Sequence, residues 1–90
     1  MTIFGMGQIV ATPGALRELA AQGVNEWAYI RRHAIGDWGE LCDEDKAANE
    51  AALQDGERLF SHYNLPDGSH VWVITEADRS VTTILLPEEY

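Results

Sequence analysis

Alternation of apolar and polar residues is clearest in the last quarter of the chain, from His70 to Leu86. β-Branched and aromatic residues recur there at every second position, which is the pattern of a strand. The tetrapeptide ADRS at 77–80 interrupts the pattern with residues that favour turns. The segment is therefore predicted to form a β-hairpin, and apolar residues on both faces of its second strand indicate a central, covered strand.

Two further stretches have strand character. Residues 57–65 alternate with period two, and the turn sequence LPDG at 65–68 connects them to the hairpin. Residues 8–11 (QIVA) are predicted to form a short N-terminal strand that is a candidate to pair with the C-terminal sheet. Three strands in succession predict an antiparallel meander at the C-terminal end of the chain.

Between these strands, apolar residues recur at helical spacing in three segments. Each segment begins at a residue that favours a helix N-terminus and ends at a glycine: Thr12 and Gly23, Asn25 and Gly36, Asp43 and Gly56. The order predicts an α+β fold with a short N-terminal strand, two to three helices, and a three-stranded antiparallel β-meander whose helices pack on one face. Ninety residues form a single domain over 1–90.

Composition narrows the classes of protein. One cysteine, Cys42, excludes an intrachain disulfide and a cysteine zinc cage. No apolar run approaches the ~20 residues that span a bilayer, and the N-terminal residues lack the pattern of a signal peptide. We expect a cytoplasmic protein with no cofactor and no membrane contact.

The net charge of −9 is concentrated in the middle of the chain. We name residues 37–57 the acidic segment, because eight acids and one lysine there leave seven of the nine net negative charges (8 − 1 = 7). Such a segment is repelled by nucleic acid and attracted to basic surfaces. It is a candidate mimic of a phosphate backbone; the alternative is a solvated outer helix whose first-turn acids suit the helix dipole.

Catalytic candidates are few. Acidic neighbours of Cys42 favour its protonated thiol, and no GxSxG or phosphate-binding glycine loop occurs. His62 and His70 flank the LPDG turn and are expected to come close together, but HxH and HExxH spacings are absent, so no metal site is predicted.

A metal-independent ribonuclease is the alternative enzyme reading. It needs a base, an acid and a cation near the phosphate. The residues that would supply them are His33, Arg58, Glu76 and Arg79. Helices followed by an antiparallel sheet match the layout of the barnase–colicin–RelE nucleases, whereas the net charge opposes binding of a nucleic-acid backbone. For Glu76 and Arg79 the competing role is to orient the hairpin turn.

Four sequence motifs carry a resemblance. They are VATPGAL at 10–16, RHAIGDWG at 32–39, DEDKAANEAALQDGERLFSHY at 43–63 and ITEADRSVTTILLPEEY at 74–90. Together they resemble a family of small bacterial proteins found on plasmids, integrated elements and prophages. The resemblance implies no catalytic residues. It implies a context in which small acidic proteins act as accessory factors against host defence, such as anti-CRISPR or anti-restriction proteins.

These observations predict a non-enzymatic binding protein that inhibits a nucleic-acid-handling defence complex by competition. Its partner would be a protein with a basic surface, such as a CRISPR or restriction subunit, and it would not bind nucleic acid itself. The residues predicted to bind this partner are Asp37, Glu40, Asp43, Glu44, Asp45 and Glu50, with Trp38 as an aromatic anchor. A third reading is a homodimer formed through an open edge of the sheet.

Overall fold

A computed structural model describes residues 2–90 of the chain. Those residues contain three α-helices and a four-stranded sheet, so the predicted α+β class is confirmed. In chain order the elements are β1 (Gln8–Ala11), α1 (Pro13–Ala21), α2 (Glu26–Ala34), α3 (Asp43–Asp55), β2 (Leu59–Asn64), β3 (His70–Thr75), β4 (Val81–Leu85) and a 3₁₀ turn (Pro87–Glu89). No helix within residues 2–90 is long and apolar enough to cross a membrane.

The sheet is mixed, with strand order β1-β4-β3-β2. Strands β2, β3 and β4 form an antiparallel meander, as predicted. The description of the sheet as three-stranded and antiparallel is incomplete, because β1 adds to it in parallel alongside β4. The backbone N–H of Gln8 donates to Ser80 and that of Thr12 donates to Ile84, which holds β1 at this edge.

One face of the sheet is covered by α1 and α2. Side chains alternate across a strand, so every second residue of β2, β3 and β4 turns toward these helices. The residues that form the shared core are all buried: Leu19, Tyr29, Ile30, Tyr63, Leu65, Val71, Val73 and Ile84. The helices start as predicted, since the side chains of Thr12 and Asn25 accept hydrogen bonds from the first-turn backbone.

The third helix packs against β2. A second core cluster joins it to the sheet through Trp38, Leu41, Ala52 and Leu59. The helix begins at Asp43, and Cys42 occupies the N-cap position without a side-chain hydrogen bond, so the prediction that Asp43 caps this helix is wrong. Asp43 instead belongs to the first turn, where a carboxylate interacts favourably with the helix dipole.

The outer edge of β2 is covered by polar contacts. The side chain of Asn49 donates to the Phe60 carbonyl (2.6 Å) and accepts from the Phe60 N–H (3.2 Å). One step along, His62 exchanges backbone hydrogen bonds with Trp38 and Glu40. Unpaired strand edges invite association with other strands, and these contacts cover that of β2. The opposite edge of the sheet is β1.

Candidate functional site

The carboxylates of the acidic segment lie on the surface. All six acids predicted to bind a partner are exposed: Asp37, Glu40, Asp43, Glu44, Asp45 and Glu50. Three of them occupy the first turn of α3, a helix of 13 residues that ends at Asp55. At 1.5 Å per residue, the helix presents its charges over about 20 Å.

Asp37 is the acid of this segment that is held most firmly. Its carboxylate accepts from Nε of Arg32 at 2.7 Å and from the backbone N–H of Gly39 at 3.1 Å. The hydrogen bond from Arg32 lowers the pKa of Asp37, and both side chains remain about two-fifths exposed. Arg32 also lies over the Tyr63 ring, 4.5 Å from its centroid. Asp37 therefore orders the loop between α2 and α3, and its charge is partly compensated.

The other acids of the segment form no ion pair within 4 Å in the part of the chain that the structure describes. Within residues 2–90, the ion pairs closer than 4 Å are those of Arg32 with Asp37 and of Arg58 with Glu76. Like charges therefore accumulate around α3, in which Lys46 is the one basic residue. Such a surface has a strong negative potential and favours contact with a basic partner.

Trp38 does not lie on this surface. It is 4% exposed, and it packs in the second core cluster beside Phe4 and His33. Its indole Nε1 donates to Glu50 at 2.8 Å, which ties the loop to α3. The prediction that Trp38 is an anchor for a partner does not fit this burial, because a side chain enclosed by its own protein has no surface to offer.

The histidine of the nuclease reading is also in the core. His33 is fully buried between α2 and the sheet. Its Nδ1 lies 2.6 Å from the Ser61 hydroxyl and its Nε2 lies 2.9 Å from the Thr75 hydroxyl. A chain of hydroxyls continues from Thr75 to Thr82 (2.7 Å) and ends on a backbone carbonyl.

The direction of this chain determines the tautomer of His33. Thr82 donates to the Met6 carbonyl, which accepts only, so the Thr75 hydroxyl donates to Thr82. Thr75 then accepts from Nε2–H of His33, and Ser61 donates to the unprotonated Nδ1. Every group is satisfied while the imidazole is neutral, and burial lowers the pKa of His33 to about 4. An imidazole sealed in this way does not contact a substrate, so the nuclease reading loses its base.

The other three residues of the nuclease hypothesis make contacts that stabilise the fold. Arg58 pairs with Glu76 at 3.7 Å on the surface. The guanidinium of Arg79 donates to the backbone carbonyls of Glu57 (2.6 Å) and Ala52 (3.3 Å), and to two carbonyls of its own turn. Arg79 thus joins the hairpin turn to the end of α3. This agrees with the competing role of orienting the turn, and it does not assemble the four residues around one open pocket.

The two strand histidines meet as expected. The rings of His62 and His70 contact edge to face, with centroids 4.7 Å apart. Burial and the charge of His70 lower the pKa of His62, and Nδ1 of His70 lies 2.8 Å from the side-chain oxygen of Asn64. Within residues 2–90, no group of three or more histidine, cysteine, aspartate or glutamate side chains has the arrangement of a metal site.

Sequence reasoning missed a cavity on the face of the sheet opposite α1 and α2. It has a volume of about 220 Å³, and its lining residues are Arg58, Phe60, Trp72, Ile74 and Tyr90. The signal was present in the alternation: Phe60, Trp72 and Ile74 are apolar at strand positions that face away from the helices. What the alternation could not show is that Tyr90 folds back to complete the cavity.

Comparisons with protein-family models, with curated proteins and with solved structures found no match to this chain.

Proposed function

We propose that this protein is a small acidic binding protein that docks the acidic segment on the basic, nucleic-acid-binding surface of another protein and competes with nucleic acid for it. The observation that carries the proposal is the accumulation around α3 of exposed carboxylates, most of which have no ion-pair partner within 4 Å among residues 2–90. Four acids are proposed to make the main contacts with the partner: Glu40, Asp43, Glu44 and Asp45. Asp37 and Glu50 are expected to contribute less, because each already has a hydrogen-bond partner within the protein.

The charge density supports mimicry of nucleic acid. Duplex DNA carries one charge per ≈ 1.7 Å of axis, and a channel that binds it presents lysine and arginine at comparable spacing. Along its ~20 Å length, α3 offers carboxylates on a rigid helix. A preorganised acidic surface displaces counterions from the basic channel much as a phosphate backbone does. Binding should therefore weaken steeply as salt rises.

The class of partner follows from the resemblance to mobile-element proteins. A nucleic-acid-handling defence complex in the bacterial cytoplasm, of the CRISPR or restriction type, has the required basic channel. The inhibitor would need no cofactor and no direct contact with nucleic acid. A homodimer is not required, since the acidic segment lies on one chain.

The test is a pull-down of the tagged protein from bacterial lysate, with protein identification and a salt titration. We expect a nucleic-acid-handling protein that is released between about 0.1 and 0.5 M salt, as its counterion dependence demands. The variant Asp43→Asn/Glu44→Gln should reduce binding about tenfold if both charges contact the partner. The matched control is Glu26→Gln/Glu88→Gln, which removes two charges outside the acidic segment and should leave binding unchanged.

Two results would contradict the proposal. One is a partner that is retained equally by the acidic variant and by the control, at all salt concentrations. The other is cleavage of RNA by the purified protein, which would favour the nuclease reading despite the burial of His33.

A further inference from the structure

The open face of the sheet carries the cavity lined by Arg58, Phe60, Trp72, Ile74 and Tyr90, which we name the aromatic cavity. Phe60 and Trp72 come from adjacent strands, and their rings meet edge to face at 4.9 Å. The Tyr90 ring closes the other side against Trp72 at 5.7 Å. Three rings and Ile74 therefore provide apolar walls suited to a planar ring.

Arg58 supplies the positive charge of the aromatic cavity. Arg58 carries a guanidinium, which donates to the Tyr90 hydroxyl and stacks on the Tyr90 ring at 5.1 Å. The indole Nε1–H of Trp72 is buried and has no hydrogen-bond partner within residues 2–90. The exposed guanidinium of Arg58 donates hydrogen bonds and cannot accept them, so it favours a ligand group that accepts.

The electrostatics favour an anion at the Arg58 side. The pair of Arg58 with Glu76 is loose, at 3.7 Å, with both side chains more than two-fifths exposed. Such an exposed pair contributes little to stability, and the guanidinium has further N–H groups that can donate to a ligand carboxylate. Glu76 does not line the aromatic cavity, and it opposes the binding of an anion through repulsion.

We infer that the aromatic cavity binds a small planar aromatic carboxylate, with its ring against the apolar walls of the cavity and its carboxylate on Arg58. A volume of about 220 Å³ is below that of a drug-sized pocket, and it exceeds the ~150 Å³ cavity that holds a single benzene ring. The ligand is accordingly one fused or single ring with a short acidic arm. This site is separate from the acidic segment and does not depend on the proposed function.

The probe for the test is indole-3-acetate, titrated into the intact protein and followed by the indole N–H signals of the three tryptophans in NMR spectra. We expect a saturable shift of the Trp72 signal with a Kd of about 1 mM or tighter. The signals of Trp27, on α2, and of Trp38, in the second core cluster, serve as internal controls and should not move.

Ligand analogues separate the two halves of the site. Indole-3-acetamide keeps the ring and loses the charge, and cyclohexane acetate keeps the charge and loses the planar ring. Each should bind at least tenfold more weakly than indole-3-acetate. Equal binding of either analogue, or no saturation by 10 mM indole-3-acetate, would overturn the inference.

Two exposed variants complete the test with little risk to folding. Arg58→Gln should weaken indole-3-acetate at least tenfold and leave indole-3-acetamide unchanged. Glu76→Gln removes the competing carboxylate and should tighten indole-3-acetate about threefold. The matched control Arg17→Gln removes a cation from α1, on the other face of the sheet, and should change neither ligand. Loss of binding in Arg17→Gln equal to that in Arg58→Gln would show a general charge effect and would refute the site.

Discussion

At the scale of single residues, the buried hydroxyl–imidazole chain shows how one ionisable group depends on its surroundings. His33 lies between Ser61 and Thr75, and each of its ring nitrogens has a hydroxyl at hydrogen-bond distance. Protonation would add a second donor at Nδ1, where Ser61 now donates, and would place a charge in an apolar core. The geometry therefore stabilises the neutral ring, and the lowered pKa follows from it.

This arrangement predicts loss of stability in mild acid. The pKa of His33 is about 4 in the folded state against 6.5 when unfolded. The unfolded chain therefore binds more protons between these values, and stability falls as pH drops below 6.5. The full effect is about 3 kcal/mol, reached below pH 4. His62, whose pKa is also lowered, contributes with the same sign.

Urea unfolding between pH 7.5 and pH 5 measures this effect. We expect a decrease of about 2 kcal/mol over the range, in which most carboxylates stay ionised. The variant His62→Asn should keep most of the decrease, because the larger share belongs to His33. An NMR titration in which the His33 ring protonates near pH 6.5 in the folded protein would contradict the argument.

The indole of Trp38 provides a second prediction at this scale. Trp38→Phe keeps ring packing against Phe4 and loses the hydrogen bond to Glu50. It also leaves some space unfilled in the core cluster. We expect a loss of about 1–2 kcal/mol in thermal or urea unfolding. The control Trp27→Phe, at a site 48% exposed, should cost less than 0.5 kcal/mol, as surface substitutions do. Equal losses in both variants would show that the Trp38 contacts contribute little.

At the scale of elements, the loop between α2 and α3 determines how the edge of β2 is covered. Gly39 forms an isolated bridge with His62, and it has a φ of +77°. A Cβ at this position would overlap the His62 carbonyl oxygen and the Tyr63 ring. Only glycine permits both the left-handed conformation and the close approach of the loop to the strand.

Gly39→Ala should therefore lower the free energy of unfolding far more than the same substitution at a comparable glycine. We expect a loss of more than 3 kcal/mol, from the strained conformation plus the displacement of the loop. Gly23→Ala is the matched control, because Gly23 has a φ of +68° with open space around it. It should cost about 1–2 kcal/mol. Similar losses in the two variants would mean that the loop moves freely. Urea unfolding measures both, and light scattering would report association through an uncovered β2 edge.

At the scale of the whole molecule, the main feature is the uneven distribution of its negative charge. The chain carries a net charge of −9, and most of it surrounds one helix. Mutual repulsion destabilises the compact state, although the first-turn acids interact favourably with the dipole of α3. The same repulsion opposes self-association at low salt, so a homodimer would have to overcome it at the β1 edge.

Because repulsion between carboxylates outweighs their attraction to the helix dipole, we expect salt to stabilise the fold. Raising NaCl from 0.02 to 0.2 M shortens the Debye length from about 20 to about 7 Å and screens repulsion between neighbouring carboxylates. We expect the free energy of unfolding, measured with urea at pH 7, to increase by about 1 kcal/mol. The stabilisation by salt should be smaller in Asp43→Asn/Glu44→Gln than in Glu26→Gln/Glu88→Gln. The first variant removes charges from the region where repulsion is concentrated. A decrease in stability with salt would show that attraction to the helix dipole outweighs repulsion.

Much of the fold was predictable because its signals are local. Thr12 and Asn25 cap their helices as their residue types suggest, and the alternation from His70 onward produces the expected hairpin. The cap of α3 was assigned one residue too late, since three acids in succession resemble a cap and a first turn equally well. The exposure of the acidic segment was also predictable, because clustered carboxylates are costly to bury.

The candidate sites were less predictable. Trp38 and His33 are residue types found both in cores and at functional surfaces, and only their neighbours decide between these places. The partners of His33 are 28 and 42 residues away in the chain, and Tyr90 reaches Arg58 across 32 residues. No local pattern records such contacts.

The sequence by itself determined the order of the helices and strands, the single cysteine, and the position of the negative charge, because each depends on residue type and spacing along the chain. The tertiary structure alone decided that β1 joins β4 in parallel, that Trp38 and His33 are internal, and that an aromatic cavity forms on the open face of the sheet. These features depend on which distant segments pack together. That choice is made by the burial of the whole core and by the satisfaction of its hydrogen bonds, not by any one stretch of residues.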